Sequence, residues 1–277
     1  MTKKEIFNKK GDFPSDYHKL SIQVSLSGLS FCVLDIIGNT ILASENIRFE
    51  KELSPYEVQK TLKSLLEKNN IKKVSFSEIV VVHRNNLFSL VPKSLFDPKE
   101  LANYLKFNTK ILANDHLAYD EIENHDMMNV YIPFVNINNY IYDLFGEFDF
   151  VHNGTVLIQS LLNLPATTKD TICYVHVLEN QMDITLIAGK KLVLYNSHNF
   201  ETKDDFLYYI LFTLEQLKLQ PETTIVKLFG TIEEDDDIYT CCCAYLKQIS
   251  IFIPTHTTYP LGSEDQDSID FAVLNSL

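Results

Sequence analysis

The chain has 277 residues, 45% hydrophobic and 22% charged, and 37 carboxylates against 24 basic residues give it a net charge of −13. A chain of this length buries roughly 70–75% of its unfolded surface and folds without covalent staples. Its composition is that of an ordinary globular protein, which excludes a disordered chain. Only two of the basic residues are arginines, Arg48 and Arg84. Bidentate phosphate clamps and arginine-rich faces are therefore scarce, and no direct nucleic-acid partner is expected.

The opening stretch MTKKEIFNKKGDFPSDYHKL holds lysines but no apolar signal-peptide core. No apolar run approaches the ~18 residues of a membrane span. Five cysteines, three of them consecutive, do not make a disulfide framework. A cytoplasmic protein with no membrane partner is the expectation.

In chain order, LSIQVSLSGLSFCVLD (Leu20 to Asp35) reads as two strands folded back at Ser27-Gly28, and TILASENIRF as a third strand entered through Gly38-Asn39. Ser54, Pro55 and Glu57 then form a helix start of the capping-box kind, with Val58, Leu62, Leu65 and Leu66 on the buried face. EIVVVH follows, a strand apolar enough to be covered on both faces. The stretch from about 85 to 150 is an insertion, with a short helix from Asp97-Pro98 and a strand at NVYIP. NGTVLIQSLLNLP is a helix, and HNGT at its start reads as a turn and cap.

The first pattern then returns. ICYVHVLENQMDITLIAG is a strand-turn-strand, KKLVLYNSHNF a third strand, Thr202 and Asp205 open a helix, and TTIVKLFG is a buried strand. Gly38 to Gly189 is 151 residues, Ser54 to Thr202 is 148, and Ile79 to Ile225 is 146. Three landmarks at nearly one spacing argue for an internal duplication. DDIYTCCCAYLKQ as a helix and ISIFIP as a strand close the order. The expected domains are 1–170, a first lobe carrying the insertion, and 171–277, a second lobe.

Duplicated strand-strand-strand-helix-strand units resemble the ribonuclease H-like, actin-like ATPase superfamily. LSIQVSLSGLSFCVLD, LFSLVPKSLF, VHNGTVLIQSLL, ITLIAGKKLVLYNSHNF and VKLFGTIEEDDDIY carry a resemblance to an uncharacterised bacterial family of that fold. More distantly, the chain is similar to the actin-like pilus-assembly and cell-division proteins. The resemblance implies an α/β fold with two similar lobes around a cleft. It also implies four nucleotide elements, among them an Asp-x-Gly turn in each half and a Gly-Gly turn under the adenine.

Against that pattern, Gly28 is present beside Ser27, but the acidic position falls at Leu26. Counting back from Gly189 puts the second acidic position near His176, with Glu179 the only carboxylate close by. One glycine of the adenine turn survives, Gly230, followed by five carboxylates, Glu233 to Asp237. Five charges within about a Debye length (~8 Å) oppose an ATP tail unless metal intervenes. Ser27, Gly28, Glu179 and Gly230 are therefore the candidate, degenerate nucleotide positions, with no catalytic or metal-binding residue assigned and no cofactor expected.

Other chemistry is thinner. Cys241, Cys242 and Cys243 point about 100° apart on a helix and cannot converge on one metal. Cys32 and Cys173 read as core residues in matching contexts, and His83 as a satisfied polar group at a strand end. The sequence leaves two classes: a non-enzymatic actin-like scaffold, or a diverged ATPase or phosphotransferase using Mg-ATP. For the scaffold, an intracellular protein partner is expected, basic where it meets the acidic run, with a homodimer as the next candidate. The aromatic stretch VYIPFVNINNYIYDLFGEF is either buried under the first lobe or part of that interface.

Overall fold

The computed structural model describes residues 7–8, 17–165, 170–178, 180–253 and 270–276. The chain divides into two compact units, Met1–Leu157 with His256–Leu277, and Ile158–Thr255. Each is built on a mixed sheet.

In the first unit the sheet order is β1 (Phe7–Asn8), β4 (Thr40–Arg48), β3 (Gly28–Asp35), β2 (His18–Val24), β5 (Glu78–His83), β9 (Asp149–His152). In the second unit it is β12 (Lys191–Asn199), β11 (Gln181–Ala188), β10 (Thr171–Val177), β13 (Ile225–Gly230), β14 (Gln248–Ile251). Apart from β1 the two orders are the same. In each, the first three strands form an antiparallel meander and the last two run parallel to the meander's first strand. Even the irregularity repeats, between Val33 and Leu34 in one unit and between Leu186 and Ile187 in the other.

Strands β10 and β11 begin 153 residues after β2 and β3, β12 begins 151 after β4, and β13 begins 147 after β5. The helices α1 (Pro55–Lys68) and α5 (Lys203–Gln216) begin 148 residues apart. The offset falls because each connection after the first turn is shorter in the second unit. This corrects two sequence expectations. Ile79 matches Val226, not Ile225, and a one-residue slip matters because it turns a strand residue to the opposite face. Cys32 and Cys173 are not counterparts either, lying in β3 and β10.

Both helices start as their sequences suggest. Ser54 and Thr202 each accept from the backbone N–H three residues on, while Glu57 and Asp205 bond back to the cap residue. Ser54→Ala and Thr202→Ala should each cost about 1 kcal/mol, nearly additively, in urea unfolding. Beneath α1 lie Leu20, Ile22, Phe31, Val33, Ile79 and Val81; beneath α5 lie Val175, Ile184, Leu186, Val226 and Leu228. The opposite face of β5 supplies Val80 and Val82 to a second layer with Val156 and Ala272, which is why the strand is apolar throughout.

That layer departs from the expectation that residues 171–277 form one lobe. The C-terminal helix, Phe271–Asn275, packs on β2 and β3 of the first unit. Asp270 caps it through Ala272 N–H at 2.9 Å and takes the Gln23 amide at 2.8 Å on its other oxygen.

The insertion between β5 and β9 has its own three-stranded sheet, in the order β6 (Phe88–Pro92), β8 (Met127–Tyr131), β7 (Ala118–Ile122). Its short helix α2 (Leu101–Leu105) begins later than Asp97-Pro98 suggests, after a turn closed from Glu100 N–H to Asp97 O. Val91, Leu105, Val130 and Ile132 form its small core. The aromatic stretch is largely buried: Tyr131, Phe134 and, on α3 (Val135–Phe145), Ile137 and Ile141 are all inside, while Tyr142 is exposed.

Candidate functional site

The turn between β2 and β3 is closed on itself. Ser25 N–H donates to Gly28 O at 3.0 Å, and Gly28 N–H donates to Ser25 Oγ at 2.9 Å. The amide that a phosphate would need at the glycine is therefore already bonded by a nearly buried serine hydroxyl. The turn's carbonyls are held as well: Phe49 N–H donates to Ser27 O and Leu53 N–H to Leu26 O. Ser27 Oγ lies 3.1 Å from Ser25 Oγ. Leu26 packs against the core beneath α1, so an apolar contact occupies the place where the resemblance implied a carboxylate. Gly28 also has a packing reason, since a Cβ there would sit 2.8 Å from Ile47 O.

The turn between β10 and β11 repeats this backbone pattern. Leu178 N–H donates to Gln181 O and Phe200 N–H to Asn180 O, as Ser25 does to Gly28 and Phe49 to Ser27. Gln181 thus stands where the first turn has its glycine. His176 is not the counterpart of Leu26, because it lies inside β10 opposite Asp183, at the place of Gln23. Counting from Gly189 misplaces it because the turn after β11 is two residues shorter than the one after β3. By the 153-residue offset the counterpart of Leu26 is Glu179, which falls outside the described residues.

His176 and Asp183 are both buried, with Nδ1 and Oδ2 3.5 Å apart. The imidazole also stacks on Phe229 at 4.9 Å. Gly230 ends β13 at φ +100°, where a Cβ would meet Val177 O at 2.3 Å. Its successor Thr231 donates to that same carbonyl from N–H (2.8 Å) and from Oγ1 (3.1 Å). Glu233 to Asp237 are all exposed. The run is an ordered turn, with Asp236 Oδ2 accepting Glu233 N–H at 2.8 Å, and it leads into α6 (Asp237–Cys243). Along α6, Cys241 is half-buried, Cys242 buried and Cys243 exposed, the divergence expected of neighbours on a helix. Burial pushes the Cys32 and Cys173 thiols up to about 12.

Sequence reasoning missed a buried polar network where the insertion meets β9 and α4 (Asn153–Asn163). Asp120 accepts from Tyr131 Oη–H at 3.0 Å, His152 N–H at 2.8 Å and Thr155 Oγ1–H at 2.7 Å. Desolvation outweighs those bonds and raises its carboxyl to about 6. Asn129 donates to Thr155 Oγ1 and lies 3.1 Å from His152 Nδ1. That nitrogen also accepts Gly154 N–H, and His152 Nε2 faces Asn85 O at 3.0 Å. The HNGT stretch is thus no turn: β9 runs directly into α4, and the His152 ring takes a helix-start amide. Thr155 turns to Asp120 instead of capping. The signal was a polar run at an apolar helix start, which periodicity alone could not tell from a loop.

His83 is satisfied, as its strand-end position suggests. Nδ1 accepts Phe134 N–H at 3.2 Å and Nε2 donates to Asn138 Oδ1 at 2.8 Å. Burial lowers it to about 3. Both imidazoles are engaged at both ring nitrogens, so neither is poised as a general base. Among the described residues no group of three His, Cys, Asp or Glu side chains could hold a metal ion. Nor is any of their helices long and apolar enough to cross a membrane.

Duplicated meander-helix-strand units with an insertion after the first define an actin-like ATPase fold, and solved structures bear this out. The chain is similar to a Bacteroides thetaiotaomicron protein with actin-like ATPase fold and unknown function, at TM-score 0.80 and 18% identity over 95% of this chain and 97% of that one. It is also similar to a chain of a PilM-PilN type IV pilus biogenesis complex, at TM-score 0.58 and 13% identity over 93% and 96%. Residues 10–249 match the family described as Protein of unknown function (DUF3822), and the chain belongs to that family. No curated protein matches it significantly in sequence.

Proposed function

We propose that this protein is a non-catalytic actin-like scaffold that works by binding another protein. The observation that carries the reading is the Gly28 amide, bonded to Ser25 Oγ inside its own turn. Phosphate recognition by such loops depends on backbone N–H groups directed at the ligand. Here that donor is spent internally, Leu26 replaces the acid, and Gln181 replaces the glycine of the second turn. Gly28 and Gly230 each answer to a neighbouring backbone carbonyl, so neither glycine needs a nucleotide to account for it. A similar structure is a PilM-PilN complex, in which a protein of this fold has a protein partner. The exposed carboxylates Glu233 to Asp237 favour a basic partner, chiefly by speeding its approach.

Thermal unfolding with and without millimolar Mg-ATP tests the reading. The expected shift is no more than about one degree, since binding at 100 times Kd would add ~2.7 kcal/mol and move the midpoint by several degrees. A shift of that size, lost in Glu179→Gln, would favour the diverged ATPase instead.

A further inference from the structure

The duplication permits a comparison of one helix with its own counterpart. Along α1 the outermost positions include Lys60 and Ser64, both exposed. The same positions of α5, by the 148-residue offset, hold Tyr208 and Phe212. At three inward positions the residues stay apolar, Val58, Leu62 and Leu66 against Phe206, Ile210 and Leu214. Neither Tyr208 nor Phe212 belongs to the core beneath α5, which therefore does not require them. Tyr208 is 57% and Phe212 43% exposed.

These rings are not scattered. His198 of β12 stacks on Tyr209 at 4.2 Å, Tyr209 meets Tyr208 edge-on at 5.6 Å, and Tyr208 stacks on Phe212 at 5.7 Å. A continuous row of four rings thus runs from the sheet onto the outer face of α5. Residues 201–216 around it carry four carboxylates and one lysine. The acidic run Glu233 to Asp237 leads into α6, which packs along α5.

We infer that this face of α5 is the docking surface for a basic amphipathic segment of another protein. Apolar side chains of that segment would cover Tyr208 and Phe212, and its lysines or arginines would meet Glu201, Asp204 and Glu215. Cations also gain from aromatic ring faces. A second copy of this chain fits less well, because a two-fold contact sets this patch against itself, with four carboxylates and one lysine on each side. The inference rests on the scaffold reading and names the surface and the partner's chemistry.

The test is fluorescence anisotropy with a labelled synthetic peptide carrying Leu at i, i+3, i+4 and i+7 and Lys elsewhere. A twin peptide has Glu for every Lys. The basic peptide should bind the full chain at low salt, and the acidic twin should not. Tyr208→Gln with Phe212→Ser should weaken binding by more than about tenfold, with the melting temperature held because both side chains are exposed. Tyr56→Gln, at a more exposed tyrosine on α1, should change nothing. Equal loss in Tyr56→Gln, no loss in the double variant, or equal binding of the acidic twin overturns the assignment. So does a dimer in sedimentation that the double variant dissociates, because the covering partner is then a second copy. No nucleotide enters the titration, so its failure is separate from that of the Mg-ATP experiment.

Discussion

Replacing Gly230 by alanine is expected to destabilise the second unit by about 3–5 kcal/mol, the largest effect of any small substitution proposed for this chain. Two costs combine there. The backbone is at φ +100°, where a side chain is strained whatever the space around it. The new Cβ would also lie 2.3 Å from Val177 O and 2.9 Å from His176 Cδ2. The carbonyl cannot yield easily, because β10 and β13 are paired at this point and Thr231 holds it with two hydrogen bonds. Gly189→Ala separates the two costs, since Gly189 has φ +63° and nothing within 4 Å of a built Cβ. That variant should lose only about 1 kcal/mol. Urea unfolding followed by far-ultraviolet circular dichroism would measure both. Equal losses would mean that the strand crossing is not tight and that Gly230 is kept for another reason, such as a ligand.

Acidification should weaken the first unit through His83. The folded-state value, about 3, lies below the ordinary 6.5, because burial disfavours the imidazolium and His152 adds a smaller repulsion. Stability from keeping His83 neutral is therefore complete above pH 6.5 and is lost as pH falls towards 3. At about 1.4 kcal/mol per pH unit, the loss between pH 6.5 and 5 is about 2 kcal/mol. Asp120 works the other way: its folded value is raised, so protonating it favours the folded state as pH falls through about 6. The two slopes partly cancel in the native chain, and the comparison must be made against a variant. His83→Gln should be the less stable protein at pH 7, having lost the paired bonds to Asn138 and Phe134. Its deficit should shrink by about 2 kcal/mol at pH 5, since Asp120 is common to both. A deficit independent of pH would show that His83 is not held neutral.

Much of this fold was legible along the chain because its determinants are local. The capping boxes at Ser54 and Thr202, the apolar run of β5 and the recurrence of meander, helix and strand depend on neighbours within a few residues. The repeat itself needed only three landmarks. That Leu26, and not an acid, precedes Ser27-Gly28 was also plain. The sequence could not say that Ser25 Oγ bonds the Gly28 amide, because a serine near a glycine has many conformations and the hydrogen bond selects one.

What the tertiary structure decided depends on distant segments meeting. Counting residues put His176 at the second turn, and only strand pairing showed that it faces Asp183 within β10, since turn lengths differ between the copies. The C-terminal helix joins the first unit because Gln23 and Ser21 meet Asp270 and Ser276, partners about 250 residues away. The network at Asp120 draws on β7, β8, β9 and α4, and no spacing rule links those positions. Gly28 and Gly230 read as nucleotide relics in the sequence, yet each is opposed by a carbonyl from another strand. A glycine's reason lies in what approaches it, and that neighbour is chosen by the fold.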